Sequence, residues 1–356
     1  MKKIFIALSI VVTTLVLVAC NINYDLIIYL PNDYMNEDVV KSFEQEYGVK
    51  VGIINFNSNE VALKQIKENP SSYDIIIPSD YAMEELADLD LIDVIDWSKI
   101  ENMSKADLTT DMVTYLEELK TDGFDVLNYS IPYFWGSIGL MYDNTVAGLE
   151  TRVEAEGWDI LADQSLKTML YDSSRDSFMI GLAHGGKTLS EATQSDIDAA
   201  RDWLISTKGP NTSIKSDQIL DETIGGSTPY DVAVVYSGDA TYILQENESY
   251  SYHIPEFSNV WIDGMTVAKN SQNKDLAYKF MDWFSLFDNQ LENTFEIAYT
   301  PVRQDVLEEV LLDEYYLDPR VRETFLVEGI VDFEFFRYDQ DLFLMIDNAW
   351  IDVKTN

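Results

Sequence analysis

The chain has 356 residues, a formal net charge of −39 and a hydrophobic fraction of 46%. The charge argues against a nucleic acid partner, since binding phosphates requires clustered Lys and Arg. The apolar fraction excludes a disordered composition, and the length is enough for two domains. A polyanion attracts cationic solutes. Acidic surfaces also serve solubility, so the charge by itself only favours a cationic ligand.

The first twenty residues have the charge order of a secretory signal. Lys2 and Lys3 precede an apolar run at 4–18, which is short for a membrane-spanning helix of roughly twenty residues. The run closes on LVAC, which resembles the bacterial lipobox, where the cysteine is acylated. We expect residues 1–20 to be a signal peptide and Cys20 to be lipidated. An ordinary signal peptide with a chance cysteine is the alternative.

Cys20 is the only cysteine of the chain, so disulfides and thiolate metal sites are excluded. Lipidation would anchor the mature chain to the membrane, in the periplasm or at the outer face of the cytoplasmic membrane. Two acyl chains hold a protein stably where one does not. The sequence thus predicts an extracytoplasmic, lipid-anchored protein.

The mature chain opens with strands that alternate with helices. Strands are predicted at 26–30, 50–56 and 74–77. Asn36 is predicted to cap the first helix between them, and the apolar spacing turns Val61 of the second helix inward. This β-α-β-α-β order predicts a parallel sheet covered by helices.

Polar and aromatic side chains follow two of these strands. Tyr34 comes soon after the first strand, and Ser79, Asp80 and Tyr81 follow the third. Ligands of such sheets bind at the carboxyl ends of the strands. We therefore expect these four residues to share one rim.

The middle of the chain repeats this pattern. Strands are predicted at 168–171, 231–236 and 260–267, and helices at 198–205 and 277–287. Neither an internal repeat nor a low-complexity linker separates the two parts. The sequence therefore predicts two α/β lobes joined by crossing strands.

Residues 181–188, GLAHGGKT, match the nucleotide-binding pattern G-x-x-x-x-G-K-[ST]. That loop works only between a preceding strand and a following helix. Here residues 177–183 continue a predicted helix, and Gly185 and Gly186 are predicted to end it. We therefore expect a helix terminus instead of a phosphate-binding loop.

Signals for an enzyme are weak. His184 and His253 are the only histidines, and their spacing suits neither a zinc site nor a catalytic triad. Asp172 and Asp176 could form a glycosidase pair, but at a helix start they are more simply a cap and a dipole partner. We expect no enzymatic activity, no metal and no cofactor.

Six segments, in this order, resemble the substrate-binding proteins of polyamine (spermidine/putrescine) ABC transporters. They are DIIIPSDY at 74–81, SIPYFWG at 130–136, DSSRD at 172–176, VYSGDA at 235–240, VWIDGM at 260–265 and IAYTP at 297–301. The resemblance implies an α/β, two-lobed periplasmic-binding-protein-like type II fold. Each lobe would be a mixed, mainly parallel sheet flanked by helices, with the ligand in a cleft that closes by a hinge.

The resemblance also divides the mature chain. The first lobe would comprise residues 24–134 plus 264–307, and the second 135–263 plus 308–356. The chain would cross between lobes near Tyr133 to Trp135, near Asp263, and near residues 305–315.

A polyamine is an apolar chain with ammonium groups, so its cleft needs carboxylates at intervals and aromatic faces between them. The resemblance implies that Asp263 and Asp176 pair with ammonium groups and that Trp261 forms a wall. Trp261 and Asp263 alternate in one predicted strand, so they point to the same face. The other ligand-binding residues implied are Asn32, Tyr34, Ser79, Asp80, Tyr81, Tyr236, Asp239 and Tyr299. For each, a core aromatic or a helix cap is the alternative.

Some positions depart from the pattern of that family. Pro31 stands where the family often has a wall tryptophan, and Phe336 about where a glutamine can occur. Asp80 and Asp239 add carboxylates near the rim. These changes would suit a shorter or more highly charged amine, or a ligand that is not a standard polyamine.

The sequence therefore predicts a monomeric solute-binding protein that takes putrescine or spermidine and delivers it to an ABC permease. Three alternatives stay open. One is a binding protein for another organic cation or a metal complex. The others are an extracytoplasmic hydrolase with paired acids, and a surface scaffold lipoprotein without a closed cleft.

Overall fold

The structure is a computed structural model that describes residues 24–216, 218–326 and 332–356. The predicted signal peptide and Cys20 lie outside the described residues. Within those three ranges, no helix has both the length and the apolar character needed to cross a bilayer.

The described chain is mixed α/β. Its strands are β1 Leu26–Pro31, β2 Val51–Phe56, β3 Ile75–Ile76, β4 Ile131–Asp143, β5 Thr168–Tyr171, β6 Thr212–Lys215, β7 Val232–Tyr236, β8 Tyr250–His253, β9 Phe257–Val267, β10 Thr300–Pro301 and β11 Asp332–Glu334. Its α-helices are α1 Glu37–Tyr47, α2 Asn59–Glu68, α3 Asp80–Asp88, α4 Thr110–Thr121, α5 Leu149–Glu156, α6 Ser174–His184, α7 Gln194–Thr207, α8 Gln218–Thr223, α9 Ser237–Glu246, α10 Lys274–Phe284, α11 Phe287–Ile297, α12 Gln304–Val310, α13 Pro319–Leu326 and α14 Gln340–Thr355. Short 3-10 helices lie at Trp97–Lys99, Lys105–Asp107, Val126–Asn128, Gly157–Ala162, Ile224–Gly226 and Glu314–Leu317.

The first five elements follow the predicted order. β1 pairs in parallel with both β2 and β3, and the Asn36 side chain caps α1. The prediction for Val61 was wrong, because this side chain is exposed. The face of α2 that packs inward carries Ala62 and Ile66, and Val61 lies outside it.

One sheet runs through both halves of the chain in the order β2-β1-β3-β9-β4-β7-β5-β6. The long strands β4 and β9 pair antiparallel at its centre, with a register shift between Pro132 and Phe134. The last part of β9 pairs with β3, whereas the later part of β4 pairs with β7. The paired strands β4 and β9 therefore connect the two halves of the sheet. The predicted lobe boundaries stay a prediction.

Two helices, α6 and α10, end close to the positions that the sequence predicts. α6 ends at His184, and the left-handed Gly186 (φ 65°) follows it. The GLAHGGKT segment therefore contains the end of a helix, as predicted, and a helix precedes it instead of the strand that a phosphate loop needs. The helix predicted at 277–287 lies three residues earlier in the chain, because α10 starts at Lys274 and ends at Phe284, and a new helix starts at Phe287.

The start of α6 corrects a second prediction. Ser173, and not Asp172, caps this helix by accepting from the backbone N–H of Asp176 at 3.2 Å. Asp172 instead accepts from the indole of Trp350 at 2.9 Å and from the ammonium of Lys354 at 3.0 Å. Asp172 thus ties α14 to the region where α6 begins.

Candidate ligand-binding site

A cavity of about 1100 Å³ lies between the two halves of the sheet. One wall comes from the segments that follow β1 and β3, and the other from β9 and the segments that follow β5 and β7. The predicted site residues that line it are Asn32, Tyr34, Ser79, Tyr81, Asp176, Tyr236, Asp239, Trp261, Asp263 and Tyr299. Of the predicted set, only Asp80 is missing from this lining.

Asp263 is a buried acid of this wall with one carboxylate oxygen that has no partner among the described residues. It is 5% exposed, and within the described part of the chain its Oδ1 has no hydrogen-bond partner. Burial raises the pKa of Asp263 to about 6, against the lowering effect of the hydroxyls of Ser79 and Tyr34. A buried carboxylate with an unpartnered oxygen favours a cation beside it.

Asp80 lies behind this wall. Its two carboxylate oxygens accept from the backbone N–H groups of Tyr81 at 2.7 Å and Ile262 at 3.1 Å. Burial raises the pKa of Asp80 to about 8, and the two backbone hydrogen bonds only partly oppose this. The side chain therefore braces α3 against β9 next to Asp263, a position from which it does not reach the cavity.

Four aromatic rings form a continuous wall of the cavity. Tyr34 and Tyr299 meet edge to face with centroids 5.4 Å apart, and Tyr299 meets Trp261 at 5.3 Å. Trp261 in turn meets Tyr236 at 6.1 Å and an interplanar angle of 84°. Ring faces of this kind cover methylene groups and attract cations.

Asp176 is the second buried carboxylate of the cavity. It accepts from the hydroxyl of Tyr236 at 2.6 Å and from the amide of Asn259 at 3.2 Å. Burial raises the pKa of Asp176, and the hydroxyls of Ser173 and Tyr236 partly oppose this shift. Asp176 and Asp263 thus place two acids on one cavity, with Trp261 and Tyr236 also on its wall.

The sequence did not predict several of the residues that line the cavity. Asn259 lies two positions before Trp261 on β9, so the strand alternation that puts Trp261 and Asp263 on one face applies to it as well. Arg175 and Glu60 line the cavity as well and form an ion pair of 2.6 Å. A cation inside a site for cations goes against composition reasoning, so no sequence signal indicated this pair.

A glycine sets how closely the tyrosine wall packs. A Cβ atom placed on Gly238, in the first turn of α9, would lie 2.3 Å from the ring of Tyr299. The hydroxyl of that tyrosine donates to Asp239 at 2.8 Å. The ring therefore rests directly on the backbone at the start of α9, which only a residue without a side chain permits.

The acids of the cavity do not form a metal cluster. Over the described residues, no three His, Cys, Asp or Glu side chains are grouped as a metal ion would require. The cavity instead presents two buried acids, Asp263 and Asp176, and the faces of aromatic rings.

Comparison with known proteins supports this interpretation. Residues 38–320 match the family described as bacterial extracellular solute-binding proteins. A spermidine/putrescine-binding periplasmic protein of Salmonella typhimurium is 25% identical over 281 residues, which are 78% of this chain and 77% of that protein.

Solved structures extend the likeness to nearly the whole chain. A structure from Listeria monocytogenes is 29% identical with a TM-score of 0.80, and the match covers 93% of this chain and 98% of the other. The spermidine/putrescine ABC transporter substrate-binding protein of Streptococcus pneumoniae is 28% identical with a TM-score of 0.72, covering 92% and 98%. The predicted resemblance and the two-lobed α/β fold are thereby confirmed.

Proposed function

The chain belongs to the family of bacterial extracellular solute-binding proteins, and on this premise we propose that it binds putrescine or spermidine and delivers it to an ABC permease. The polyamine would lie in the cavity between the two lobes, which follow the boundaries given above. One observation carries the proposal. Two buried acids, Asp263 and Asp176, line a single cavity whose wall is a chain of aromatic rings. The relatives named for polyamine binding support it.

Export and anchoring complete the proposal. The family is extracellular, and relatives are named as periplasmic proteins. Cys20 would carry the lipid that keeps the receptor beside its permease. Metabolic labelling with a fatty acid should mark the wild-type chain and leave a Cys20→Ala variant unlabelled. Labelling of both chains, or of neither, would remove the anchor from the proposal.

Calorimetric titration tests the ligand directly. Protein stripped of ligand by unfolding and refolding should release or absorb heat with putrescine, with spermidine, or with both. Butane-1,4-diol matches the length of putrescine without its charges and should give no heat. If neither amine gives heat, the polyamine assignment fails while the fold stands.

A second candidate is another organic cation, and one observation favours it. Pro31 lines the cavity, and the resemblance to polyamine-binding proteins implies a wall tryptophan at this position. Loss of that ring removes a flat contact for an alkyl chain. Mass spectrometry of the molecule released from purified protein separates the two candidates, since it gives the mass of the bound amine.

Affinity for a polyamine should depend on pH through Asp263. An ammonium pairs with the ionised carboxylate, and burial raises the pKa of Asp263 to about 6. Below that pH the carboxyl must lose a proton before it can pair, so the affinity should fall by up to about tenfold per pH unit. Between pH 7 and 8 Asp263 is mostly ionised and the amines of putrescine stay protonated, so the pH dependence that comes from this group should level off. Titrations at pH 5, 6, 7 and 8 measure this, and an equal affinity at pH 5 and 8 would contradict it.

A further inference from the structure

A cation that belongs to the chain itself borders the cavity. Arg175 donates from Nη1 to Oε1 of Glu60 at 2.6 Å, and the hydroxyl of Tyr81 donates to the same oxygen at 3.1 Å. The guanidinium carbon lies 3.5 Å from the ring centroid of Tyr81 and 4.0 Å from that of Phe343. The cation thus contacts two rings that meet edge to face, and a carboxylate accepts from it.

The partners of this cation come from both lobes. Glu60 on α2 and Tyr81 on α3 fall in the proposed first lobe, whereas Arg175 on α6 and Phe343 on α14 fall in the second. Parting of the lobes would therefore separate the guanidinium from the carboxylate and from one of its two rings. The stabilisation that these contacts give would count only in the closed form, and it would shift the equilibrium toward closure.

Because Arg175 is buried, loss of its contact with Glu60 should strongly destabilise the closed form. The Arg175 side chain is 5% exposed, and that of Glu60 is 39% exposed at the rim. A charge held that far from water is strongly destabilised when its partner is removed, whereas an exposed pair contributes little. In the opened form water would reach Arg175, so the penalty would fall on the closed form alone.

We propose that the Arg175–Glu60 pair is a latch that forms as the lobes close and that sets the lifetime of the bound ligand. The inference rests on the proposed function, because it assumes a receptor that closes over its solute. It does not depend on which cation is bound. Arg175 acts here as a positioning residue, through the lobe contact.

Dissociation kinetics test the latch. Glu60→Gln keeps the shape of the side chain and removes its charge. We expect it to raise the dissociation rate of putrescine or spermidine by about tenfold, with the association rate within about twofold of wild type. Stopped-flow fluorescence measures both rates, because Trp261 lines the cavity. Glu68→Gln removes the same charge from an exposed site on α2 and should change neither rate.

A double-mutant cycle of Glu60 and Arg175 separates a latch from a general loss of stability. Once Glu60→Gln is in place, Arg175→Gln should add little further increase in the dissociation rate, whereas Arg175→Lys alone should retain part of the effect of the pair. Thermal unfolding of ligand-free Glu60→Gln should match wild type. An unchanged dissociation rate, or a lowered association rate in its place, would overturn the latch.

A ligand-free measurement keeps the two proposals distinct. Spin labels at Lys64→Cys on α2 and Asn348→Cys on α14, with Cys20→Ser, report the separation of the lobes from exposed positions. The latch predicts a smaller short-distance fraction in Glu60→Gln than in the labelled parent. Equal distance distributions would overturn the latch. Failure of both polyamines to bind the wild type would instead overturn the proposed function and leave this test valid.

Discussion

Asp263→Asn should weaken polyamine binding by at least about thirtyfold, since removing one partner of a buried charge pair costs about 2–5 kcal/mol. The substitution keeps the shape of the side chain and removes the charge that an ammonium would neutralise. The residue is 5% exposed, and its Oδ1 has no hydrogen-bond partner among the described residues. Calorimetric titration of the variant with putrescine and spermidine gives the loss directly.

The same variant should not be less stable than the parent when no ligand is bound. Burial raises the pKa of Asp263 to about 6, so the ionised form is destabilised by about 3 kcal/mol at neutral pH. An uncharged amide avoids that cost. We therefore expect an equal or higher melting temperature for ligand-free Asp263→Asn, combined with a much smaller increase on adding polyamine.

Asp38→Asn is the matched control. Asp38 lines the mouth of the same cavity, its side chain is 75% exposed, and its replacement removes one negative charge as well. Since water screens an exposed charge, its loss should change the affinity by less than about twofold. Equal losses in the two variants would mean that the overall field of the protein, and not Asp263, attracts the cation.

How far the sequence predicted this site depends on the kind of signal at each position. The resemblance to polyamine-binding proteins implied Trp261 and Asp263, and strand alternation puts both on one face. Asn259 obeys the same alternation. Asp80 follows a strand just as Ser79 and Tyr81 do, yet it lies in the first turn of α3 and its side chain turns toward the backbone of β9. Position after a strand fixes which rim a residue occupies, but not the direction of its side chain.

The Arg175–Glu60 pair shows a different limit. The two residues are 115 positions apart and lie on α2 and α6, which the proposed boundaries assign to different lobes. Local patterns encode helices, caps and strands, whereas this contact depends on how the lobes meet. The same holds for Gly238 and Tyr299, whose close approach joins α9 to the segment before β10. Contacts across the cavity are therefore what the structure adds to the sequence.

Gly238→Ala should weaken polyamine binding by at least about tenfold, or about 1.4 kcal/mol, with little loss of stability. The new Cβ atom would lie 2.3 Å from the ring of Tyr299, which is closer than van der Waals contact allows. The three atoms nearest to the added Cβ all belong to the Tyr299 ring, so the ring is the part that must move. Tyr299 borders the cavity, and the open space on that side is the space that a ligand would fill.

The stability of Gly238→Ala should change much less than its affinity. Alanine favours a helix over glycine by up to about 1 kcal/mol, and position 238 lies in the first turn of α9. This gain offsets part of the crowding in the ligand-free protein. Titration calorimetry and thermal unfolding of the same preparation would show a lowered affinity beside a melting temperature close to that of the parent.

Two comparisons decide whether crowding of Tyr299 is the cause. Gly185→Ala adds the same methyl group at the end of α6, where the backbone φ is −82° and the residue does not line the cavity, and should leave the affinity unchanged. In a Tyr299→Ala background the ring is gone, so Gly238→Ala should cause almost no further loss. An additive loss in the double variant would show that α9 itself had shifted. An unchanged affinity in the single variant would show that the ring yields without entering the ligand's space.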